Sequence, residues 1–311
     1  MELDLFPPSL PVVATANDHD GGPAWLAKLP GVVAELRERW SLRLGAPFHG
    51  GSCSWVAPAW LPDGEPAVLK VTWPHREAMG EAEGLRLWSG RAAVRLLEAD
   101  RDHLAVLIER CEPGTTLAES DQLTPDRRLL IGGQLLYELW SVPPPQQTGL
   151  ESLADVTAEW ADIAEARMAR FKPDFDPGLV ALGVRLLREL PGTAERDVIV
   201  HGDFNPGNIL AARRKPWLVI DAKPMIGDPS YDVWPLVSQI DDPFAHDDAQ
   251  RVLTERMTLV AGMVGEDVRR LAAWALAREV EAALWLLEHP GTQSPVGSMD
   301  KAFALAKLAE V

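Results

Sequence analysis

The chain has 311 residues, enough for one large domain or two domains of ordinary size with their own hydrophobic core. Although 47% of the residues are hydrophobic, no long uncharged apolar stretch occurs and the first residues lack a basic region before an apolar one, so we expect neither a membrane span nor a secretory signal. A net charge of −16 disfavours nucleic acid as a partner and favours cations, and the two cysteines, Cys53 and Cys111, lack metal-ligand spacing and fit a reducing, cytoplasmic location.

The first part of the chain combines one predicted helix with several strands. Residues 1–23 are rich in Pro and Gly and are predicted to be irregular. Apolar residues at helical spacing predict a helix over 25–40, and residues 42–73 have the pattern of strands joined by turns. The turn Gly50-Gly51-Ser52 leaves its backbone N–H groups unobstructed, as a phosphate-binding turn needs, although hairpins also use glycine routinely.

Lys70 stands alone among apolar residues in the predicted strand 67–71. A buried unpaired ammonium group is costly, so we expect Lys70 to face an anion, for which phosphate is the candidate. The alternative is a solvent-facing lysine on an edge strand. A helix predicted over 76–88 offers Glu81 or Glu83 as the carboxylate that orients the lysine.

A second hairpin, predicted at 94–98 and 104–109, marks the end of the β-rich part of the chain. We therefore predict a β-rich N-terminal lobe over residues 1–111 and a mostly helical C-terminal lobe over residues 112–311. The exposed backbone at Glu109 and Cys111, in the connection between these lobes, is predicted to read an adenine ring.

Helical spacing dominates the rest of the chain. The helix over 153–171 carries an acidic stripe that includes Asp162, which is either a solvated helix face or a substrate contact. Asp241 and Asp242 end the helix that follows residues 227–232. The other predicted helices cover 126–141, 178–190, 248–265 and 267–288.

Residues 199–232 carry the chemistry, because three acid or amide groups occur at the spacing that phosphoryl transfer needs. Asp203 is followed five positions later by Asn208, and Asp221 follows a short apolar strand. We interpret Asp203 as the carboxylate that accepts a hydroxyl proton, and Asn208 and Asp221 as oxygen ligands of Mg²⁺. The alternative is a plain turn and a helix cap. Asp232 is expected to cap or brace the loops.

Residues 67–71, 201–210 and 219–232 resemble the aminoglycoside phosphotransferase family, and the last run is similar to its streptomycin 6-kinase and hydroxyurea kinase branch. The resemblance covers roughly residues 40–290, and Ala222 departs from the usual Pro, which we interpret as a change in loop stiffness. The resemblance to this family implies an α+β, bilobal protein-kinase-like fold that binds ATP and Mg²⁺. The implied site residues are Lys70 on the ATP phosphates, Glu81 (Glu83 as second choice) orienting it, Asp203 as the base, Asn208 and Asp221 on the metal, and Asp241, Asp242, Asp162 and Glu279 (or Glu281) on the substrate.

The same resemblance implies an ATP-dependent phosphotransferase that modifies a hydroxyl of streptomycin or a related cationic antibiotic. Alternatives are a kinase of hydroxyurea or another small hydroxylated metabolite, and a nucleotide-binding pseudokinase scaffold. The presence of Lys70, Asp203, Asn208 and Asp221 disfavours the scaffold. The chain lacks the Arg of the His-Arg-Asp motif, an Asp-Phe-Gly motif and an Ala-Pro-Glu segment, which disfavours a protein kinase. Nothing in the sequence indicates an oligomeric state.

Overall fold

The computed structural model describes residues 4–289, 291 and 294–310. The chain divides into two compact units. The first runs to Gly114 and includes the return segment Ala211–Leu218, and the second comprises Thr115–Leu210 and the chain from Val219 onward. The predicted boundary after residue 111 lies close to Gly114, while the return of 211–218 to the first unit has no counterpart in the prediction.

The first unit is built on a five-stranded antiparallel sheet with the strand order β1-β2-β3-β5-β4. Its strands are β1 Arg43–Leu44, β2 Ser54–Trp60, β3 Pro66–Thr72, β4 Leu96–Asp100 and β5 Ala105–Glu109, and its helices are α1 Pro11–Asn17, α2 Gly22–Arg39 and α3 Glu81–Trp88, the last preceded by a 3₁₀ turn at Arg76–Met79.

Side-chain alternation in β3 separates the core from the site. Leu69 and Val71 are buried in one hydrophobic cluster with Leu36 of α2 and Trp55 of β2. Because successive side chains of a strand point to opposite faces, Lys70 lies on the face of the sheet away from this cluster. Because Leu69 and Val71 are held in the core, the side chain of Lys70 between them has to point to the opposite face of the sheet.

The prediction of an irregular N-terminal segment is wrong over 11–17, where α1 forms; residues 1–3 of that segment lie outside the described residues. Pro11 occupies the first turn of α1, where its missing N–H costs nothing. Val12 and Ala16 are buried, so this short helix is stabilised by packing rather than by its own propensity. The Pro- and Gly-rich composition therefore gave no indication of α1, which has only a few inward-facing positions.

The second unit is mostly helical. Its helices are α4 Pro125–Trp140, α5 Leu153–Phe171, α6 Pro177–Glu189, α7 Val233–Gln239, α8 Ala249–Val264, α9 Val268–Trp285 and α10 Pro295–Ala309. α9 is apolar and buried on most of its sides, as expected for a helix at the centre of a core. At Gly183 of α6 an added Cβ would lie 2.6 Å from Cβ of Val280, so the two helix backbones approach closely there. α10 lies beyond the last helix that the sequence predicts.

Short strands carry the loops of the site. β6 Glu151–Ser152, β10 Met225–Gly227 and β7 Val198–Val200 form a sheet in the order β6-β10-β7, and β8 Ile209–Ala211 pairs with β9 Trp217–Val219. The segment after β7 and the segment after β9 hold the acid and amide groups singled out above.

Across the described ranges, we find no helix whose length and apolar character would let it cross a bilayer.

Candidate active site

Backbone hydrogen bonds hold the loops 201–208 and 220–224 against each other. The N–H of Ile220 donates to the carbonyl of Asn208 at 2.9 Å, and the N–H of Lys223 donates to the carbonyl of His201 at 2.8 Å. Asp203, Asn208 and Asp221 are thereby placed on two adjacent loops, although 13 to 18 residues separate Asp221 from the other two.

Gly202 is required by this packing. Its φ is +84°, and an added Cβ would lie 2.1 Å from the carbonyl oxygen of Lys223. A side chain at this position is excluded both by the backbone conformation and by the neighbouring loop. The glycine in His201-Gly202-Asp203 is therefore a consequence of how closely residues 220–224 approach.

The Asp203 carboxylate is held on both oxygens. Asn205 Nδ2 donates to Oδ1 at 3.0 Å, Lys223 Nζ contacts Oδ2 at 2.9 Å, and Asn208 Nδ2 donates to the backbone oxygen of Asp203 at 3.0 Å. Burial opposes ionisation of this carboxyl, but the Lys223 ammonium and the Asn205 amide outweigh it and hold the pKa of Asp203 below its ordinary value. Asp203 is thus a carboxylate at neutral pH, in the form that can accept a proton.

His201 links the same two loops through both nitrogens of its ring. Its Nδ1 accepts from the Asp203 N–H at 3.3 Å, and its Nε2 donates to the carbonyl of Ile220 at 3.0 Å. Burial lowers the pKa of His201, so the ring is neutral with its proton on Nε2. The histidine therefore holds the two loops together.

Asp232 braces the loop as predicted. Its Oδ2 accepts from the His201 N–H at 2.7 Å and from Trp140 Nε1 at 3.1 Å, and its Oδ1 accepts from the Gly202 N–H at 2.8 Å. Burial raises the pKa of this carboxyl, while the donated hydrogen bonds oppose that effect. The backbone ahead of Asp203 is therefore fixed by a side chain 30 residues later.

The donor chemistry of Asn208 and Asp221 suits Mg²⁺. Because Asn208 uses Nδ2 to hold Asp203, its Oδ1 is the amide atom left to bind a ligand. Asp221 has φ +58°, a left-handed conformation that Asp tolerates better than most residues. In the part of the chain that the structure describes, no cluster of three or more His, Cys, Asp or Glu could hold a metal ion. Each of the two side chains offers an oxygen of the kind that Mg²⁺ binds together with phosphate and water.

Lys70 and Glu81 form a buried ion pair in the first unit. Lys70 Nζ lies 2.8 Å from Oε1 and 2.7 Å from Oε2 of Glu81, the first residue of α3. β3 is flanked by β2 and β5, so the edge-strand alternative for Lys70 is wrong. The structure therefore pairs the lysine with Glu81; Glu83 lies 3.9 Å from Arg101.

The other residues predicted to contact the nucleotide also lie in the first unit. Gly50, Gly51 and Ser52 form the loop before β2, where a Cβ on Gly51 would lie 2.8 Å from the carbonyl oxygen of Ser54. Glu109 ends β5, and its carboxylate accepts from Arg214 Nε at 2.8 Å. Cys111 is buried, which together with the Glu109 charge raises its pKa to about 12.

Each of the four residues predicted to bind substrate has a protein partner. Asp241 pairs with Arg256 and lies 3.1 Å from His246 Nε2. Asp162 lies 2.6 Å from Arg188, and Asp242 accepts from the Phe244 N–H at 3.0 Å. Glu279 is buried and accepts from Trp234 Nε1 at 2.7 Å, and Glu281 lies 3.1 Å from Arg167. These contacts do not themselves show a site for a cation.

Sequence reasoning missed Lys223 and Arg214. Lys223 directly follows the Asp221-Ala222 pair, and its presence beside a predicted metal ligand was the available signal. Arg214 sits in an Arg-Arg-Lys turn between β8 and β9 and has the pattern of an exposed hairpin tip. Yet it donates to Glu109, to the carbonyl of Gly90 at 2.7 Å and to that of Ala93 at 2.9 Å.

Comparison with known proteins supports a kinase. The family model for aminoglycoside/hydroxyurea antibiotic resistance kinases matches residues 39–290. A streptomycin 6-kinase of Streptomyces glaucescens is 37% identical over 86% of both chains, and a hydroxyurea phosphotransferase of Kitasatospora aureofaciens is 34% identical over 86% of this chain and 76% of its own.

Choline kinase LicA from Streptococcus pneumoniae, also solved with AMP, superposes with a TM-score of 0.58 at 14% identity, covering 89% of this chain and 99% of its own. This likeness confirms the predicted α+β, protein-kinase-like fold, with a β-sheet lobe and a mostly helical lobe. The chain belongs to the aminoglycoside/hydroxyurea antibiotic resistance kinase family, and it is a phosphotransferase that acts on a hydroxyl group.

Proposed function

We propose that this kinase transfers the γ-phosphoryl group of ATP to a hydroxyl of streptomycin or of a related guanidino- or aminocyclitol antibiotic. The observation that carries the proposal is the loop packing that places an ionised Asp203 beside Asn208 and next to the loop of Asp221. The streptomycin 6-kinase relative supports the acceptor, and the AMP complex of LicA supports an adenine nucleotide as the donor.

In the proposed reaction Asp203 accepts the proton of the acceptor hydroxyl while the hydroxyl oxygen bonds to the γ-phosphorus. The bond from that phosphorus to the bridging oxygen breaks, and its electron pair leaves with ADP. Asn208 and Asp221 hold Mg²⁺, which supplies charge neutralisation to the phosphates when it is bound. Positioning and electrostatics account for most of the rate enhancement in this chemistry.

The first unit contributes the nucleotide contacts of the proposal. Lys70, oriented by Glu81, contacts the ATP phosphates, and the backbone of Gly50, Gly51 and Ser52 lies along them. The backbone at Glu109 and Cys111 reads the adenine. The Lys70–Glu81 pair supports this assignment because the carboxylate fixes the direction of the buried lysine side chain.

For the acceptor we propose that carboxylates of the second unit bind its cationic groups, from the set Asp241, Asp242, Asp162 and Glu279. Asp242 is the strongest of these, because its described partner is a neutral backbone N–H, whereas Asp241 and Asp162 contact arginines. We expect Asp242→Asn to raise KM for streptomycin about tenfold, with Asp162→Asn changing it less than twofold. An unchanged KM in Asp242→Asn would argue against Asp242 as a substrate contact.

A kinase of hydroxyurea is the second candidate, supported by the hydroxyurea phosphotransferase relative. The deciding experiment measures ADP release with Mg²⁺ and ATP on streptomycin, other aminoglycosides and hydroxyurea. We expect turnover on streptomycin that Asp203→Asn lowers at least about a thousandfold while ATP affinity is kept. Turnover on hydroxyurea alone would favour the second candidate, and turnover on none of these compounds would contradict both.

A further inference from the structure

We propose that Lys223 is a catalytic residue whose ammonium group contacts the γ-phosphoryl group during its transfer. The inference rests on the proposed function only in taking Asp203 as the base, and it adds a residue that none of the motifs singles out. Lys223 Nζ lies 2.9 Å from Asp203 Oδ2. A lysine in contact with the proposed base lies next to the position that the reacting hydroxyl has to take.

The reach of the side chain follows from two contact distances. A hydroxyl that gives its proton to Asp203 lies about 2.6–3.2 Å from a carboxylate oxygen, and its oxygen lies about 3–3.5 Å from the phosphorus it attacks. An ammonium group 2.9 Å from the same carboxylate is therefore within one further contact of the phosphoryl oxygens. Its side chain is 33% exposed, so solvent reaches part of it.

The backbone of Lys223 is fixed at three points. Its N–H donates to His201 at 2.8 Å, its carbonyl oxygen fills the space where Gly202 lacks a Cβ, and Pro224 follows it. His201 and Gly202 are in turn held by Asp232. The Lys223 side chain therefore starts from a backbone position that is fixed by the same contacts as the backbone of Asp203.

The positive charge of Lys223 is the property that the proposed role requires. The site brings Asp203 and Asp221 to a triphosphate, so anions are concentrated where more negative charge moves onto the leaving ADP. A preorganised cation beside the base offsets that charge at the moment of transfer, when it is worth most. The bonds made and broken stay those of the proposed reaction: the proton goes to Asp203 and the electron pair goes to ADP. Lys223 itself gains and loses no proton.

A purely structural lysine, which only neutralises Asp203, is the competing explanation. The structural and the catalytic explanation differ in whether Lys223 contacts the γ-phosphate. They can be distinguished with ADP, which lacks this phosphate, and with the non-hydrolysable analogue AMP-PNP, which carries it. For Lys223→Met with Mg²⁺ present, we expect the Kd of AMP-PNP to rise at least about tenfold and the Kd of ADP to change less than about twofold, as for loss of one charge-assisted hydrogen bond. This binding measurement needs no acceptor, so it tests Lys223 even if streptomycin is not the substrate.

Turnover provides the second arm. We expect Lys223→Met to lower kcat at least about a hundredfold with KM for the acceptor within about threefold, and Lys223→Arg, which keeps the charge, to restore about tenfold of that loss. Lys307→Met, which removes an exposed lysine from α10, serves as the matched control and should behave as wild type in both arms. Unfolding curves for each variant show whether the fold is kept.

An equal loss of ADP and AMP-PNP affinity, or no change in either, would overturn the proposal, as would full kcat in Lys223→Met. If Lys223→Met fails to fold, Lys223→Gln and Lys223→Arg take its place, and a nucleotide preference unchanged in both would have the same meaning. Failure of wild-type protein to phosphorylate any acceptor, with AMP-PNP binding still dependent on Lys223, would count against the proposed function alone.

Discussion

The identity of residue 202 is determined by the loop that packs against it. The φ of +84° at Gly202 and the carbonyl of Lys223 together leave no room for a side chain. In this chain the glycine of His-Gly-Asp is required by the facing loop, and that contact could not be seen in the sequence.

We expect Gly202→Ala to cost at least about 2 kcal/mol in the free energy of unfolding and to abolish most activity, because Lys223 must move away from Asp203. Gly262→Ala is the matched control: Gly262 lies in α8 with nothing within 4 Å of an added Cβ, so it should raise stability by about 0.5–1 kcal/mol. Urea unfolding and ADP release measure both variants. Wild-type stability in Gly202→Ala would show that the facing loop yields easily.

The two thiols should differ in reactivity. Burial raises the pKa of Cys111 to about 12, so at pH 8 almost none of it is the reactive thiolate, while Cys53 is partly exposed. We expect iodoacetamide at pH 8 to alkylate Cys53 and to spare Cys111 until the protein is unfolded, as read by mass spectrometry of peptides. Labelling of Cys111 in the native protein would show that the segment after β5 opens readily.

The residues proposed to react could be singled out in the sequence because their chemistry imposes a pattern on the chain. Asp203, Asn208 and Asp221 stand out by their spacing, and Lys70 stands out as a lone charge in an apolar strand. Lys223 and Arg214 do not, because their importance depends on what they contact. The four acids proposed for substrate binding show the reverse problem: their sequence positions are suggestive, but three of them contact arginine or tryptophan side chains.

At the scale of elements, periodicity located most helices well. The predicted helix 153–171 matches α5, and those at 126–141 and 178–190 match α4 and α6 within one residue. α1 was missed because only a few of its positions face inward. The strands that carry the site, β7 to β10, have three residues each, which is too short for alternation to be recognised.

The β8–β9 turn has a function that its sequence hides. Arg214 binds the carboxylate of Glu109 and two backbone carbonyls, at Gly90 and Ala93, so it ties the end of β5 to the segment after α3. Its side chain is only 20% exposed. An arginine in this position acts as a brace for the backbone proposed to read adenine.

We expect Arg214→Ala to destabilise the protein by about 2–3 kcal/mol and to raise KM for ATP several-fold. The substitution leaves two carbonyls without their guanidinium donor and leaves the half-buried Glu109 carboxylate with the Arg95 N–H in place of an ion pair. Arg213→Ala is the neighbouring control: that side chain is 81% exposed and 3.0 Å from Glu112, and its loss should cost less than about 1 kcal/mol. Urea unfolding and ATP titration compare the pair. Similar effects of both would mean that Arg214 is no more than a surface residue.

For the whole molecule, the net charge of −16 bears on how a cationic acceptor arrives. Steering by such a field weakens as salt shortens the screening length, from roughly 30 Å at 0.01 M to about 10 Å at 0.1 M. We expect kcat/KM for streptomycin to fall several-fold over this range, measured by ADP release at low acceptor concentration. Sucrose at equal osmolality controls for solvent effects, and a kcat/KM independent of salt would show that the charge serves solubility alone.

The return of residues 211–218 to the first unit also sets an order for synthesis of the chain. Gly114 and Arg214 are 100 residues apart, so at roughly 5–20 residues per second the ribosome needs about 5–20 s to pass from one to the other. During that interval Glu109 has emerged without the guanidinium that holds it. The first unit of this kinase is therefore completed by a segment that is made only after the whole of loop 201–208.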